Sequence, residues 1–448
     1  MRAGLRHSLA GLALVCLSGS AWGLDLLTAY RQALTSDATF LASRSNLEAI
    51  RENVPQARAG LLPQISANGQ FTRNFLDQRQ TVPGPGGGTL NREFYYGAES
   101  ASLSLRQPLY RKANWASLSF AEAQVAAAEA NFEKDRQDAG LRVGTAYFEV
   151  LLAQTRVRVV RAQLQAYEGQ LKLAQRAFEA GEGTRTDIDD ARSRALQARA
   201  ALTEADFALN NARRVLGALV GRSADPLADV VPARLPLKPP VPATVEAWLQ
   251  EAEGANPELA SLRHQVEMAR QEVERQRAGH HPTIDIIAGR AYGSNESASQ
   301  INQRNTTDYL GFQVAVPIYS GGAVSAAVRQ AAANLNRAQF LLDAARERIT
   351  VDTQRNYYGV TQGIDKVRAF EAALEAANQS VVSTRIGVGA GTRTIVDVLN
   401  SVQRAAEAEQ GLAQARYEFL VNRLRLAATA GQLDDNFFAE VNSTLGAP

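Results

Sequence analysis

The chain has 448 residues, with 48 Lys and Arg against 46 Asp and Glu, a formal net charge of +2. That length exceeds what one compact core usually needs and sets an expectation of two or three domains. A nearly neutral chain has no global electrostatic reason to hold nucleic acid, and none is expected as a partner.

The first 23 residues read as a signal peptide. Arg2 and Arg6 form a positive n-region, Leu9 to Leu17 an apolar h-region too short to span a bilayer, and Ala21-Trp22-Gly23 a small-residue cleavage site. Without its two arginines the remaining chain balances at 46 against 46. The only cysteine, Cys16, lies inside the h-region behind Val15, which does not fit a lipid-attachment site. No disulfide or Cys-based metal site is therefore expected. No later segment is apolar enough for a transmembrane helix, which leaves a soluble exported protein or a β-barrel.

After a leading helix, two strands are expected over residues 62–75 and 94–109. Ile65, Ala67, Gly69 and Phe71 alternate with Ser66, Asn68 and Gln70; Ala101, Leu103 and Leu105 alternate with Ser102, Ser104 and Arg106. Between them, Pro83 to Thr89 is Gly/Pro-rich but lacks the Gly-Lys-Ser/Thr ending of a phosphate loop, and reads as a surface loop. From Tyr110 to about Glu179 no proline interrupts a helical pattern. Leu118, Val125, Phe132, Ala139 and Ala146 recur every seventh residue, a coiled-coil seam. The turn Gly181-Glu182-Gly183 ends this helix, and a second runs from about Arg185 to Gly221, closing a hairpin over 111–221.

A Pro-rich linker, 231–243, follows; Pro232 to Pro242 should not be helical. The same plan then repeats: a helix, strands over 282–294 and 307–319, and a long hairpin over 321–430 that turns at Gly387 to Gly391. In the fourth strand Leu310, Phe312, Val314, Val316 and Ile318 share one face, whereas Ile287 breaks the alternation of the third. Val328, Leu335, Leu342 and Ile349 repeat the seam, with Ala331, Ala338 and Ala345 between.

Four matched pairs mark an internal duplication of 24–230 in 244–448. Arg58-Ala59-Gly60 matches Arg277-Ala278-Gly279, Pro108-Leu109-Tyr110 matches Pro317-Ile318-Tyr319, and Tyr147 and Val150 match Tyr357 and Val360. Gly183-Thr184-Arg185-Thr186 matches Gly391-Thr392-Arg393-Thr394. The spacings fall between 208 and 219. Tyr95, Tyr96, Tyr110, Tyr309 and Tyr319 lie near strand ends, where a barrel's aromatic girdle would sit. A soluble β-sandwich alternates similarly. If the strands are membranous, four cannot close a pore, so several copies must share one barrel.

The stretch Gly391-Thr392-Arg393-Thr394-Ile395-Val396-Asp397-Val398-Leu399 resembles the second hairpin turn of the TolC family, and the duplicated layout of residues 24–440 resembles it as well. The resemblance implies an α+β membrane protein: a homotrimer with a twelve-strand barrel in outer-membrane lipid and a coiled-coil tunnel in the periplasm. Its implied partners are a periplasmic adaptor (membrane fusion protein) and an inner-membrane ABC or RND transporter. Its implied work is type I protein secretion, with multidrug efflux as the alternative and a soluble periplasmic scaffold as a distant one.

By the same resemblance, Arg393 and Asp187 hold the periplasmic tip shut, Asp397 and Asn400 form an inward-facing ring, and Gly181, Gly183, Gly389 and Gly391 mark tips that meet the adaptor. Val388 stands where TolC carries a tyrosine, and Asn400 where it carries an aspartate. A competing reading of Asp187 and Asp189 is helix N-terminal capping, and of Arg393 a solvated surface charge. Neither enzymatic activity nor a cofactor is expected: the histidines, His7, His264, His280 and His281, form no metal-ligand cluster, and no nucleophile–base pairing is legible.

Overall fold

The computed structural model describes residues 24–81, 83–223, 226–297 and 300–446. The expected leader, with Arg2, Arg6 and Cys16, lies outside the described residues. The first half runs α1 (Leu26–Ser36), α2 (Ala38–Arg51), α3 (Asn53–Ala59), β1 (Gln64–Thr81), β2 (Thr89–Tyr110), α4 (Lys112–Glu179) and α5 (Arg185–Val220). The second runs α6 (Val245–Ala255), α7 (Pro257–Arg277), β3 (Thr283–Ser297), β4 (Gln300–Ala315), α8 (Ala323–Gly389), α9 (Ile395–Thr429) and a closing α10 (Asp435–Asn442).

α4 and α8 contain 68 and 67 residues, roughly 100 Å each at 1.5 Å per residue. No helix among the described residues is long and apolar enough to cross a membrane. Contrary to the sequence expectation, the linker holds one 3₁₀ turn, Pro232–Arg234. Its proline occupies the first position, where a missing N–H costs nothing.

The four strands form one antiparallel sheet in the order β1-β2-β3-β4. The β1–β2 hairpin is longer than its alternation suggested, pairing from Gln64↔Arg106 to Thr81↔Thr89. Backbone pairing continues past the apolar band because it does not depend on which side chains are present. β4 is displaced the other way: it stops at Ala315, short of the expected 319. Pro317 can donate no ladder hydrogen bond, and Gly321 and Gly322 then turn the chain at positive φ.

Directly paired residues share a face, so the register sorts the sheet into two sides. Ile65, Leu105, Ala288 and Leu310 lie in one row, and Gln107, Ile286 and Phe312 in the next along. The apolar face carries Phe71, Phe75, Tyr95, Leu103 and Val314, all exposed in the single chain. Ser66, Asn68, Ser102 and Ser104 lie on the other face, with Ser66 and Ser104 joined at 2.8 Å. Ile287 falls on this polar side, and Arg290 on the apolar one, where it pairs with Asp308 at 3.2 Å.

At the base of the sheet Asp285 is 1% exposed. Arg106 of β2 donates to it through Nε at 2.9 Å and a terminal nitrogen at 2.6 Å; Arg111, just before α4, does so at 2.7 and 2.6 Å. This cluster joins strands almost 180 residues apart at the only pairing in the sheet that a hairpin does not make. It therefore fixes the register between the two halves.

The core sits at mid-height, where α1, α4, α5, α9 and α10 converge. Tyr147, Phe148, Leu151, Phe419, Leu420, Leu424 and Phe438 are almost fully buried there. Tyr30 and Phe438 stack at 4.1 Å. Gly144 makes room at this level: a Cβ would come within 2.3 Å of Leu424 Cδ1 and would push that buried side chain aside. Tyr147 donates to the carbonyls of Leu24 and Ala228 at 3.0 and 2.7 Å, and its repeat partner Tyr357 donates to Ala243. The two tyrosines thus clamp the chain's entry and its linker onto the long helices. Short bridges, Leu24 with Leu227 and Val230 with Leu445, complete this belt.

Asp285→Ala should leave two guanidinium groups without their shared acceptor and destabilise the protein by about 1–3 kcal/mol. Thermal unfolding in detergent micelles, followed by circular dichroism, should show a lowered midpoint for Asp285→Ala and a smaller drop for Asp285→Asn.

Candidate functional site at the hairpin tips

The two helical hairpins end in turns built to one template. α4 stops at Ala180 and α8 at Ala390, each followed by a left-handed glycine, Gly181 at φ 78° and Gly391 at φ 72°. Two successive amides then return to one carbonyl: Glu182 and Gly183 to Ala177, Thr392 and Arg393 to Gly387. Thr184 caps α5 and Thr394 caps α9.

These matches lie 210 residues apart, the spacing of the helical seams. The repeated Gly-Thr-Arg-Thr string is spaced by 208 and is therefore out of structural register. Thr184 corresponds to Thr394, not Thr392, and α9 begins at Ile395 instead of Arg393 because Thr394 is its cap.

Both expected acids are held in these caps. The Asp187 carboxylate accepts from the Thr184 amide at 3.1 Å and its hydroxyl at 2.6 Å, while the Asp187 amide donates to the hydroxyl at 3.2 Å. Asp397 repeats the pattern on Thr394 at 2.9, 3.0 and 3.2 Å. Each is a capping box, which satisfies two otherwise orphaned helix amides. Donation from the Thr394 amide and hydroxyl, with Arg393 and Arg404 nearby, holds the Asp397 carboxyl below the usual carboxylate range. Asp189 is engaged differently, by Arg185 one turn away at 3.6 Å.

Arg393 has no counterpart in the first turn, where Gly183 occupies its place. The exchange is compensated beneath it. At Gly183 a Cβ would meet the Phe178 amide at 3.0 Å and Ala177 at 3.2 Å. Opposite Arg393 the chain carries Gly387, over which the arginine side chain lies; a Cβ there would approach its Cγ to 2.7 Å. Within one chain, among the described residues, no hydrogen bond or ion pair joins Arg393 to Asp187. Val388 packs into the apolar cluster of Leu164, Tyr167, Val398 and Leu399. Gly181, Gly389 and Gly391 face open space.

A contact missing from the sequence reading ties the two hairpins together near their tips. Arg194 on α5 donates to Asn400 Oδ1 at 2.8 Å and to Gln403 Oε1 at 3.1 Å on α9. Ala191, Ala195 and Ala198 clear space for this approach and pack in one cluster with Val398 and Val402. Asn400, expected in the ring, is thus an acceptor for an arginine of the other hairpin. Gly387 was expected only as part of the turn and Arg194 not at all, because their roles depend on which residues the turn and the seam bring opposite them. Among the described residues no group of three or more His, Cys, Asp or Glu could hold a metal; His281 meets only the Tyr110 hydroxyl, at 3.3 Å.

A model of the outer membrane efflux protein family matches residues 29–222 and 248–432. The alkaline protease secretion protein AprF of Pseudomonas aeruginosa is 35% identical over 95% of this chain and 88% of its own. The outer membrane protein TolC of Vibrio cholerae is 30% identical over 97% of this chain and 96% of its own. The crystal structure of the outer membrane protein VceC of Vibrio cholerae shares the fold, with a TM-score of 0.74 at 17% identity, covering 91% of this chain and 97% of that one. With its four-strand sheet, paired long hairpins and matched turns, this chain belongs to the outer membrane efflux protein family of TolC-like channels and is an outer-membrane channel for export, its helical tunnel lying in the periplasm.

Proposed function

We propose that three copies share one twelve-strand barrel and one tunnel, and that the tunnel is the exit duct of a tripartite machine for type I protein secretion. Each copy contributes two repeats, 24–230 and 244–448, joined by the linker 231–243. The observation that carries the trimer is the sheet itself. β1 and β4 are open edges of an apolar-faced sheet, and in lipid each unpaired backbone group costs several kcal/mol. Leu310 on the apolar face of β4, and Ile318 and Tyr319 just past its end, are 81, 95 and 87% exposed in the single chain, as expected of surface meant for lipid or a neighbouring copy and not for water.

Protein secretion is favoured over efflux by the relative whose name is alkaline protease secretion protein. The periplasmic adaptor would meet the open backbone of the tips at Gly181, Gly183, Gly389 and Gly391, and an inner-membrane ABC transporter would lie beyond it. Deleting the gene and assaying secreted proteins and drug sensitivity separately should abolish secretion of one or more proteins. Unchanged secretion with raised drug sensitivity would favour the RND-type efflux reading.

At the tip, Asp397 supplies one carboxylate per copy, a ring that raises cation occupancy. Asn400 adds no charge to it. Arg393, seated over Gly387 and pointing from a turn that has no other cation in that place, supplies the tether that holds the tip closed against Asp187 of an adjoining hairpin.

Arg393→Ala and Asp187→Ala should each raise single-channel conductance in planar bilayers. Gly387→Ala should do so as well, because it unseats the arginine without removing it. If Asp187 only caps α5, its alanine variant should keep normal conductance and lose about 1 kcal/mol of stability. Asp397→Asn should lower cation selectivity, read as a shift of the reversal potential in a salt gradient.

A further inference from the structure

The internal duplication predicts a contact that one chain cannot make alone. In a ring built from three copies, each hairpin has a hairpin on either side, and the contact between the first and second hairpins of one chain recurs in similar geometry between the second hairpin and the first hairpin of the next. The intrachain version is the bond from Arg194 to Asn400 and Gln403. Advancing Arg194 by the 210 residues that relate the two turns gives Arg404. Taking Asn400 and Gln403 back by the same interval gives Asp190 and Ser193. The donor is conserved across the duplication as an arginine, and its acceptor changes from an amide to a carboxylate.

We infer that Arg404 of one copy pairs with Asp190 of the next, an ion pair that closes the seam between copies at the periplasmic tip. Arg404 and Asp190 are both exposed, and among the described residues neither has an ion pair within its own chain. The small residues that admit the intrachain contact recur as well: Ala191, Ala195 and Ala198 become Ser401, Ala405 and Ala408. Ala195 and Ala198 are buried within the chain, in the cluster that Leu164 and Tyr167 share with Val398 and Val402; Ser401 is buried as well, but Ala405 and Ala408 remain partly exposed and open to a second copy.

The two seams then differ in chemistry. Inside a chain the arginine meets neutral acceptors beside Val398 and Val402; between chains it meets a carboxylate. A charge-assisted bond is stronger in isolation but is screened by salt when exposed. Of the two versions of this contact, the charged one thus falls on the seam between copies.

The inference rests on the trimer proposed above, and one experiment separates the two. In a Cys16→Ala background, Asp190→Cys with Arg404→Cys is treated with a short bismaleimide in outer-membrane vesicles and boiled before electrophoresis. Covalent dimers and trimers are expected. The control pair, Arg194→Cys with Asn400→Cys, should give only an internally linked monomer. An oligomer present in unboiled samples but never linked through 190 and 404 overturns the seam and leaves the trimer standing. Absence of any oligomer overturns both. As a second arm, Arg404→Asp should raise single-channel conductance and the added Asp190→Arg should restore it; a double variant as leaky as the single one overturns the pairing.

Discussion

A β-sheet in lipid can have no free edge. A soluble protein can leave a strand edge in water, but hydrocarbon offers its amides and carbonyls nothing. Four strands per chain make too small a sheet to curl onto itself, so the edges of β1 and β4 can be satisfied only by other copies. That several copies share one barrel follows from this, and three copies give the twelve strands proposed above. The polar side of the sheet, with Ser66, Asn68, Ser102 and Ser104, then faces water inside the barrel, and the side bearing Phe71, Leu103 and Phe312 faces lipid.

The duplication transfers this symmetry to the helices. Each copy presents two nearly equivalent hairpins, so the three copies proposed above would give six positions around a tunnel. Equivalence is kept where backbone geometry matters: in the left-handed glycines of the turns and in the capping boxes. It is broken where function needs a difference. Gly183 faces Ala177 in one turn, and Arg393 faces Gly387 in the other. Asp285 has Arg106 and Arg111 at the junction within a chain, whereas its repeat position is Ser66 and theirs are Ala315 and Ser320. The ionic clamp thus marks the pairing of halves inside one chain and is absent from the pairing between chains.

Much of the fold was legible because long-range order here is periodic. Heptads give helix length, alternation gives strand faces, and glycine gives the turns. Strand ends were less legible, since backbone pairing carries β1 and β2 beyond their apolar band while Pro317 cuts β4 short. The 3₁₀ turn at Pro232 escaped because proline forbids helix interiors but not their first position. At the tip, the residue types were readable and their partners were not. The repeated Gly-Thr-Arg-Thr string suggested a spacing of 208; the hydrogen bonds of the turns show 210, and that shift of two is what exchanges Arg393 for Gly183. Arg194 carried no motif at all, because its role is defined by what stands opposite on α9.

A single copy of this chain is an incomplete channel. The most direct measurement is the mass of the protein extracted from outer membranes in mild detergent, read by native mass spectrometry. One species with three copies of the chain is expected, converting to single chains only on heating. A monodisperse single chain that retains its sheet and still conducts in bilayers would contradict it.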